Sequence, residues 1–448
     1  MNILKLTTYI GLGAYLFSSC SPNLKADTAS SGDADFSRYV AIGNSLTSGY
    51  ADGALSLYGQ ENSFPKMLAE KFAEAGGGEF KIPYMDAGNG NDGQGHPKRV
   101  LGYVIPCNSS SPTIGPKLAN GTATPLNNVA ANGPYNLVGV PGARSYDAIL
   151  SIYSSSFGNP FLNRFCKTPG VSTMLSEALR SNPTFYTMWL GNNDALLYAT
   201  GGAVAPTGFL SPSLTDTTTF GLAMRLMIDS LSKTGAKGAI ANIPDVTSVP
   251  YFTTIPWNAV VLTQGKADTL NAIFAGANLT NITWNAGPNG LLIVDSSEGA
   301  INGFMRHATA EDLILITTPG DSLTCGQWGV NPYKALRDQY VLDKNEKIEI
   351  QERIAQYNDI IKTIANAYNL AHVDMNSYIK SFVPGIIYNG ISMNAKYITG
   401  GAFSLDGIHP NPRGYALIAN EFIKSINNKF KATISLVDVS QYNGIVFP

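Results

Sequence analysis

The sequence predicts an α/β fold in which a parallel sheet is covered on both faces by helices. Three observations predict it. Short apolar, β-rich runs alternate along the chain with segments of helical periodicity. Glycine, proline and asparagine bound those runs sharply. The chain has 448 residues with no internal repeat, enough for one large domain carrying insertions.

The elements follow in order. Tyr39 to Ile42 read as a buried strand that runs into Gly43-Asn44-Ser45, so Ser45 falls at a strand's carboxyl end. Open α/β sheets bind ligands at that edge. Phe64 to Ala75 is helical, with Phe64, Leu68 and Phe72 on one face, and Gly76-Gly77-Gly78 stop it. Residues 79–134 have little periodicity and read as an insertion with irregular packing. Asn136 to Val140 is a second strand, ending in Pro141-Gly142-Ala143-Arg144, with a helix beginning near Ser145. Pro183 to Leu190 is a third strand, ending in Gly191-Asn192-Asn193-Asp194. Thr219 to Lys233 is an amphipathic helix, and Lys237 to Ile243 is a fourth strand.

Residues 250–342 break the alternation and read as a second insertion, with short strands at Leu291 to Val294 and Leu313 to Ile316. Asp343 and Glu346 form a capping box that opens a long helix, with Ile350, Ile354, Tyr357, Ile361 and Ile364 inward. Ala371 to Met375 is a fifth strand. Asn411 as cap and Pro412 at the first helical position open the last long helix. The tail, 433–448, alternates like an added strand.

At the N-terminus, Lys5 followed by apolar Leu6 to Phe17 and small Ser18-Ser19-Cys20 reads as a signal peptide, too short for a membrane span. Leu16-Phe17-Ser18-Ser19-Cys20 resembles a bacterial lipobox, which implies lipidation of Cys20 and anchoring to a membrane of the bacterial cell envelope, on the periplasmic or surface side of the outer membrane. Polar residues 21–35 read as a flexible tether, and 36–432 as the folded domain. Cys107, Cys166 and Cys325 remain. An oxidising compartment permits one disulfide, and Cys107 with Cys166 is the expected pair. None has zinc-ligand spacing. The net charge of −2 without a basic block points away from nucleic acid as a partner.

The chemistry concentrates in four turns. Ser404-Leu405-Asp406-Gly407-Ile408-His409-Pro410 places an acid and an imidazole three residues apart before a helix. A histidine so held can take a serine's proton, and the carboxylate orients the ring. Ser45 is the serine such a base would serve. The Gly139-to-Ala143 and Gly191-to-Asp194 turns carry backbone and amide N–H groups suited to an oxyanion. Each turn alone would more often be structural.

Together these blocks resemble the GDSL, or SGNH, hydrolase family. The resemblance covers the framework and leaves out the two insertions. It implies a flavodoxin-like three-layer α/β/α sandwich, no cofactor and no metal. It implies Ser45 as nucleophile, His409 as base and Asp406 as its orienting acid. The implied oxyanion hole is the N–H of Ser45, the N–H of Gly142 (with Gly139 the alternative) and the amide of Asn193. Two departures stand out. Asn44 occupies the position of the family's aspartate. The literal tetrapeptide Gly320-Asp321-Ser322-Leu323 occurs in the second insertion, where no Gly-x-Asn-Asp block follows it, so Ser322 is rejected as nucleophile.

Other motifs are weaker. Gly88-Asn89-Gly90-Asn91-Asp92-Gly93 matches a dinucleotide fingerprint but no helix follows, and it lacks spaced calcium ligands. His96, His307 and His372 read as structural or surface residues. The resulting expectation is a lipid-anchored serine esterase or lipase acting on a small-molecule, lipid or acylated-glycan ester. The alternatives are an inactive glycan- or lipid-binding protein on the same scaffold, or an acyltransferase.

Overall fold

The computed structural model describes residues 29–204, 213–233 and 235–448. The expected signal peptide, with Cys20, lies outside the described residues.

Strand β1 (Tyr39–Gly43) is buried throughout, and leads through Asn44 into the one-turn helix α1 (Ser45–Ser48). Helix α2 (Phe64–Ala73) buries Phe64, Leu68 and Phe72. The first insertion contains an antiparallel hairpin of β2 (Arg99–Val104) and β3 (Thr113–Leu118). Its strands are mostly exposed or half-buried, so no apolar alternation marked them in the sequence. Framework elements then resume with β4 (Leu137–Gly139), α3 (Met174–Arg180), β5 (Phe185–Trp189), α4 (Asn193–Thr200), α5 (Thr217–Ser232) and β6 (Lys237–Ala241).

The second insertion has packed cores of its own. One gathers Phe274 of α6 (Gln264–Gly276) with Trp284 and with residues of β7 (Leu292–Val294) and β8 (Met305–His307). The other holds Leu291, Ile293, Ile314 and Leu336. Helix α7 (Lys344–Ala367) opens on the Asp343/Glu346 capping box, both of whose bonds form. Strand β9 (Ala371–Val373), α8 (Met375–Lys380) and α9 (Pro412–Phe430) complete the framework.

Five parallel strands form the central sheet, in the order β9-β6-β5-β1-β4. Ranked by position in the chain, that order is the doubly wound 2-1-3-4-5, in which the winding reverses between β1 and β5. Side chains alternate across β5 and sort the two helical layers. Trp189 meets Phe64 and Phe422 of α2 and α9 on one face. Tyr186 reaches Ser232 of α5 on the other, where Phe220 and Tyr357 stack between α5 and α7.

Three expectations are corrected. The disulfide joins Cys107, in the β2–β3 turn, to Cys325 in the second insertion, with Cα atoms 6.4 Å apart. Cys166 is free and wholly buried in the main core, where no other described cysteine approaches it. The tail after α9 forms no strand. Side-chain amides of α9 occupy its backbone instead: Asn427 brackets Ile434 and Asn420 brackets Val437, each amide both donating and accepting. Finally, the end of the segment expected as a tether is docked. Asp33 N donates to Phe430 O, Ser30 and Thr433 exchange two bonds, and Ala34 is buried.

Candidate active site

The site is built where the winding reverses. Gly43 ends β1 facing Trp189 of β5 and Gly139 of β4. A Cβ on Gly43 would lie 2.1 Å from Thr47 Oγ1 and 2.5 Å from Trp189 O, so only glycine lets α1 fold back this tightly. Asn44 caps α1, its Oδ1 accepting from Leu46 N, while its Nδ2 donates to Asn192 Oδ1 at 3.1 Å. Ser45 follows as the first helical residue, 6% exposed.

His409 Nε2 lies 2.8 Å from Ser45 Oγ, and its Nδ1 lies 2.9 Å from Asp406 Oδ2. A carboxylate only accepts, so the proton sits on Nδ1 and Nε2 is free to accept from the serine hydroxyl. Asp406 is saturated. Its Oδ1 accepts from the N–H groups of Ile408 and His409, and its Oδ2 accepts from Gly53 N in addition to the imidazole. Burial pushes this carboxyl up, but the adjacent imidazole and those hydrogen bonds outweigh burial and hold it at about 2.

Both insertions brace this loop. On one side, Asp52 N donates to Ser404 Oγ, Asp52 Oδ1 accepts from Leu405 N, and Arg99 of the hairpin donates its N–H to Asp52 O. On the other, Tyr251 at the start of the second insertion donates to Gly407 O. Gly407 has φ +74°, a conformation that L side chains rarely adopt. Burial raises the Asp52 carboxyl to about 6, against the lowering effect of the Leu405 N–H and with the Asp406 charge adding to the rise.

The glycine turn and the asparagine block are tied together. Asn193 Nδ2 donates one hydrogen to Ala143 O at 2.9 Å, which leaves its second N–H available. Asp194, wholly buried, accepts from the N–H and hydroxyl of Ser145 at 2.7 and 2.6 Å. Burial lifts its carboxyl to about 6 against those bonds. Between these anchors Gly142 has φ +82°, and its backbone amide makes no hydrogen bond to another described residue. Gly139 is different: it lies inside β4, and a Cβ there would meet Ser48 N at 2.4 Å. Gly142 thus presents an amide without a described partner, whereas Gly139 sits within the sheet.

Ser322 lies in a five-residue helix next to the disulfide, within the second insertion. The ring hydrogen bonds of the described histidines go to Asp92, Gly290, Thr283, Asp406 and Ser45, and none goes to Ser322. His96 is largely exposed beside Asp92, His307 is clamped between two carbonyls, and His372 Nε2 is buried without a hydrogen-bond partner among the described residues. Among the described residues no group of three or more histidines, cysteines or carboxylates is positioned to hold a metal ion.

Sequence reasoning missed the roles of Asp52, which bonds Ser404 and Leu405, of Ser145, which bonds Asp194, and of Asn192, which accepts from Asn44. Only the Asp52-Gly53 turn pair carried a local signal. It also missed a pocket of about 50 Å³ lined by Ser45, His409 and Asn193 and walled by apolar side chains.

Residues 39–422 match the family model described as GDSL-like Lipase/Acylhydrolase. No curated protein matches the chain at significance. Among solved structures, a protein of Parabacteroides merdae provisionally described as a GDSL-like lipase is 10% identical, with a TM-score of 0.36, covering 89% of this chain and 99% of its own. The lipase/acylhydrolase of Enterococcus faecalis is 14% identical, with a TM-score of 0.33, covering 89% and 98%. An extracellular lipase of Streptomyces rimosus is 10% identical, with a TM-score of 0.33, covering 88% and 99%.

Proposed function

The chain belongs to the GDSL-like lipase/acylhydrolase family, a family of ester-bond hydrolases, and from that premise we propose that it cleaves carboxylic esters through Ser45, His409 and Asp406. The observation that carries the reading is the continuous relay from Ser45 Oγ to His409 Nε2 and from His409 Nδ1 to Asp406 Oδ2, at 2.8 and 2.9 Å.

Ser45 Oγ attacks the ester carbonyl as its proton passes to His409 Nε2. The imidazolium that forms faces Asp406, whose charge stabilises it. Negative charge on the carbonyl oxygen is met by the N–H groups of Ser45 and Gly142 and by the free amide hydrogen of Asn193. The bond to the alcohol oxygen then breaks, and the alcohol leaves with the proton from His409. Water, activated by the same imidazole, hydrolyses the acyl-serine and restores the site.

At the N-terminus the lipobox-like run supports a second proposal, that Cys20 is acylated and holds the protein on a membrane of the bacterial cell envelope. Cys20→Ser would then move the protein from the membrane to the soluble fraction.

The deciding experiment compares wild type, Ser45→Ala and Ser322→Ala on chromogenic esters. Ser45→Ala is expected to lower kcat by about 10⁴-fold or more, and Ser322→Ala to leave it within about twofold. Equal losses, or a larger loss in Ser322→Ala, would overturn the assignment.

A further inference from the structure

The pocket at Ser45 is lined by five polar residues, Asn44, Ser45, Asn192, Asn193 and His409, and otherwise by apolar side chains, among them Leu46, Trp189, Leu196, Val246 and Ile408. An ester carbonyl held at Ser45 would therefore have an apolar chamber on one side. The chamber is small, with a volume of about 50 Å³.

Which half of the ester enters follows from the order of bond breaking. The alcohol must depart before water can attack, whereas the acyl group stays on Ser45 until the second step. A chamber surrounded by the sheet and its helices suits the half that stays. The chamber also has a back wall. Ile379 of α8, Phe403, Pro410 and Ile418 of α9 line it and simultaneously line a second void of about 20 Å³ on their far side. These four side chains are thus a partition between two cavities. Ile379 is the half-buried one of the four, on a six-residue helix.

We infer that this chamber is the acyl pocket and that it limits the substrates to esters of short carboxylic acids, with Ile379 as the residue that sets the limit. The inference rests on the Ser45 reading above. It places the alcohol outside the chamber, so large alcohols, sugars among them, are admitted where long acyl chains are not.

The test uses the full-length protein in detergent and two ester series. One carries a common nitrophenol with acetyl, butyryl, hexanoyl and octanoyl groups. The other carries a common acetyl group on alcohols of increasing length. In wild type, kcat/KM is expected to fall about tenfold or more from butyrate to octanoate, and to vary less than about threefold along the acetate series. Ile379→Ala, which opens the second void, is expected to raise the hexanoate-to-butyrate ratio about tenfold, and Ile379→Phe to confine turnover to acetate. These are ratios within one preparation, so a partly unfolded variant does not change them.

Equal turnover of acetate and octanoate by wild type would overturn the short-acyl assignment while leaving Ser45 as nucleophile. Discrimination along the alcohol series would reverse which half occupies the chamber, and that too would overturn it. Failure of the folded protein to hydrolyse any ester would remove the esterase reading itself, and this inference with it.

Discussion

At the scale of single residues, the site depends on groups that touch no substrate. Asn44 shows why the family's aspartate can be replaced here. Its carbonyl caps α1 and its amide donates to Asn192. An aspartate would keep the cap and lose the donor, and Asn192 could turn its own amide hydrogens toward the carboxylate. Asn44→Asp is therefore expected to stay within about 1 kcal/mol of wild type in stability, and Asn44→Ala to cost about 1–2 kcal/mol through the lost cap. Urea titration of both variants measures this, and equal losses would refute the capping account. Asn193 serves differently, because one amide hydrogen is committed to Ala143 O and only the other is free. Asn193→Ala is expected to reduce kcat about 10²–10³-fold with little change in KM, which steady-state kinetics would resolve. A loss confined to KM would mean that Asn193 binds the ground state.

At the scale of elements, the framework strands and the helices α2, α5, α7 and α9 form where their own periodicity and caps predict, the helix expected near Ser145 is two short 3-10 turns (Tyr146–Ile149 and Ser151–Ser154), and the insertions depend on one another. The hairpin β2–β3 has no buried face of its own, and its turn is fastened to the second insertion through Cys107–Cys325. The hairpin begins with Arg99, which bonds Asp52, and Asp52 in turn holds the backbone beside Asp406. Cys107→Ser is expected to destabilise the protein by about 2–5 kcal/mol. Its melting temperature, and that of wild type in strong reductant, should fall together. Cys166→Ser should leave the response to reductant unchanged. A reductant-insensitive wild type would show that the crosslink is not a stabilising one.

At the scale of the whole molecule, burial of carboxyls sets a pH dependence of stability. Burial raises Asp52 and Asp194 to about 6 and Glu346 to about 7. A raised carboxyl binds its proton more tightly when folded, so its contribution is complete below the unfolded value near 4 and is lost as pH rises through 6 to 7. Asp406 has the opposite sign: held at about 2, its contribution is intact above the unfolded value and lost only as pH falls through about 2. The melting temperature is therefore expected to be higher near pH 5 than at pH 7.5 at equal ionic strength, and Asp52→Asn should flatten part of the slope. A melting temperature that rises over that interval would contradict the burial account.

The sequence alone determined the framework and the residue types of the candidate site. Strand runs, capping residues and helix-stopping glycines are local signals, and they carried the alternation and the positions of Ser45, Asn193, Asp406 and His409 in its turns. Distance between those turns is not local. Ser45 and His409 are separated by 364 positions, and it is the packing of the loop before α9, bonded to Asp52 and Tyr251, against the end of β1 that sets their side chains 2.8 Å apart. The same applies to the disulfide, whose partners lie 218 positions apart, and to the tail, whose alternation was answered by two asparagine amides of α9 in place of a strand. The acyl chamber belongs wholly to the tertiary structure. Its walls come from both helical layers and from the sheet, and a volume of about 50 Å³ is the small remainder of close packing among them, which no spacing in the sequence encodes.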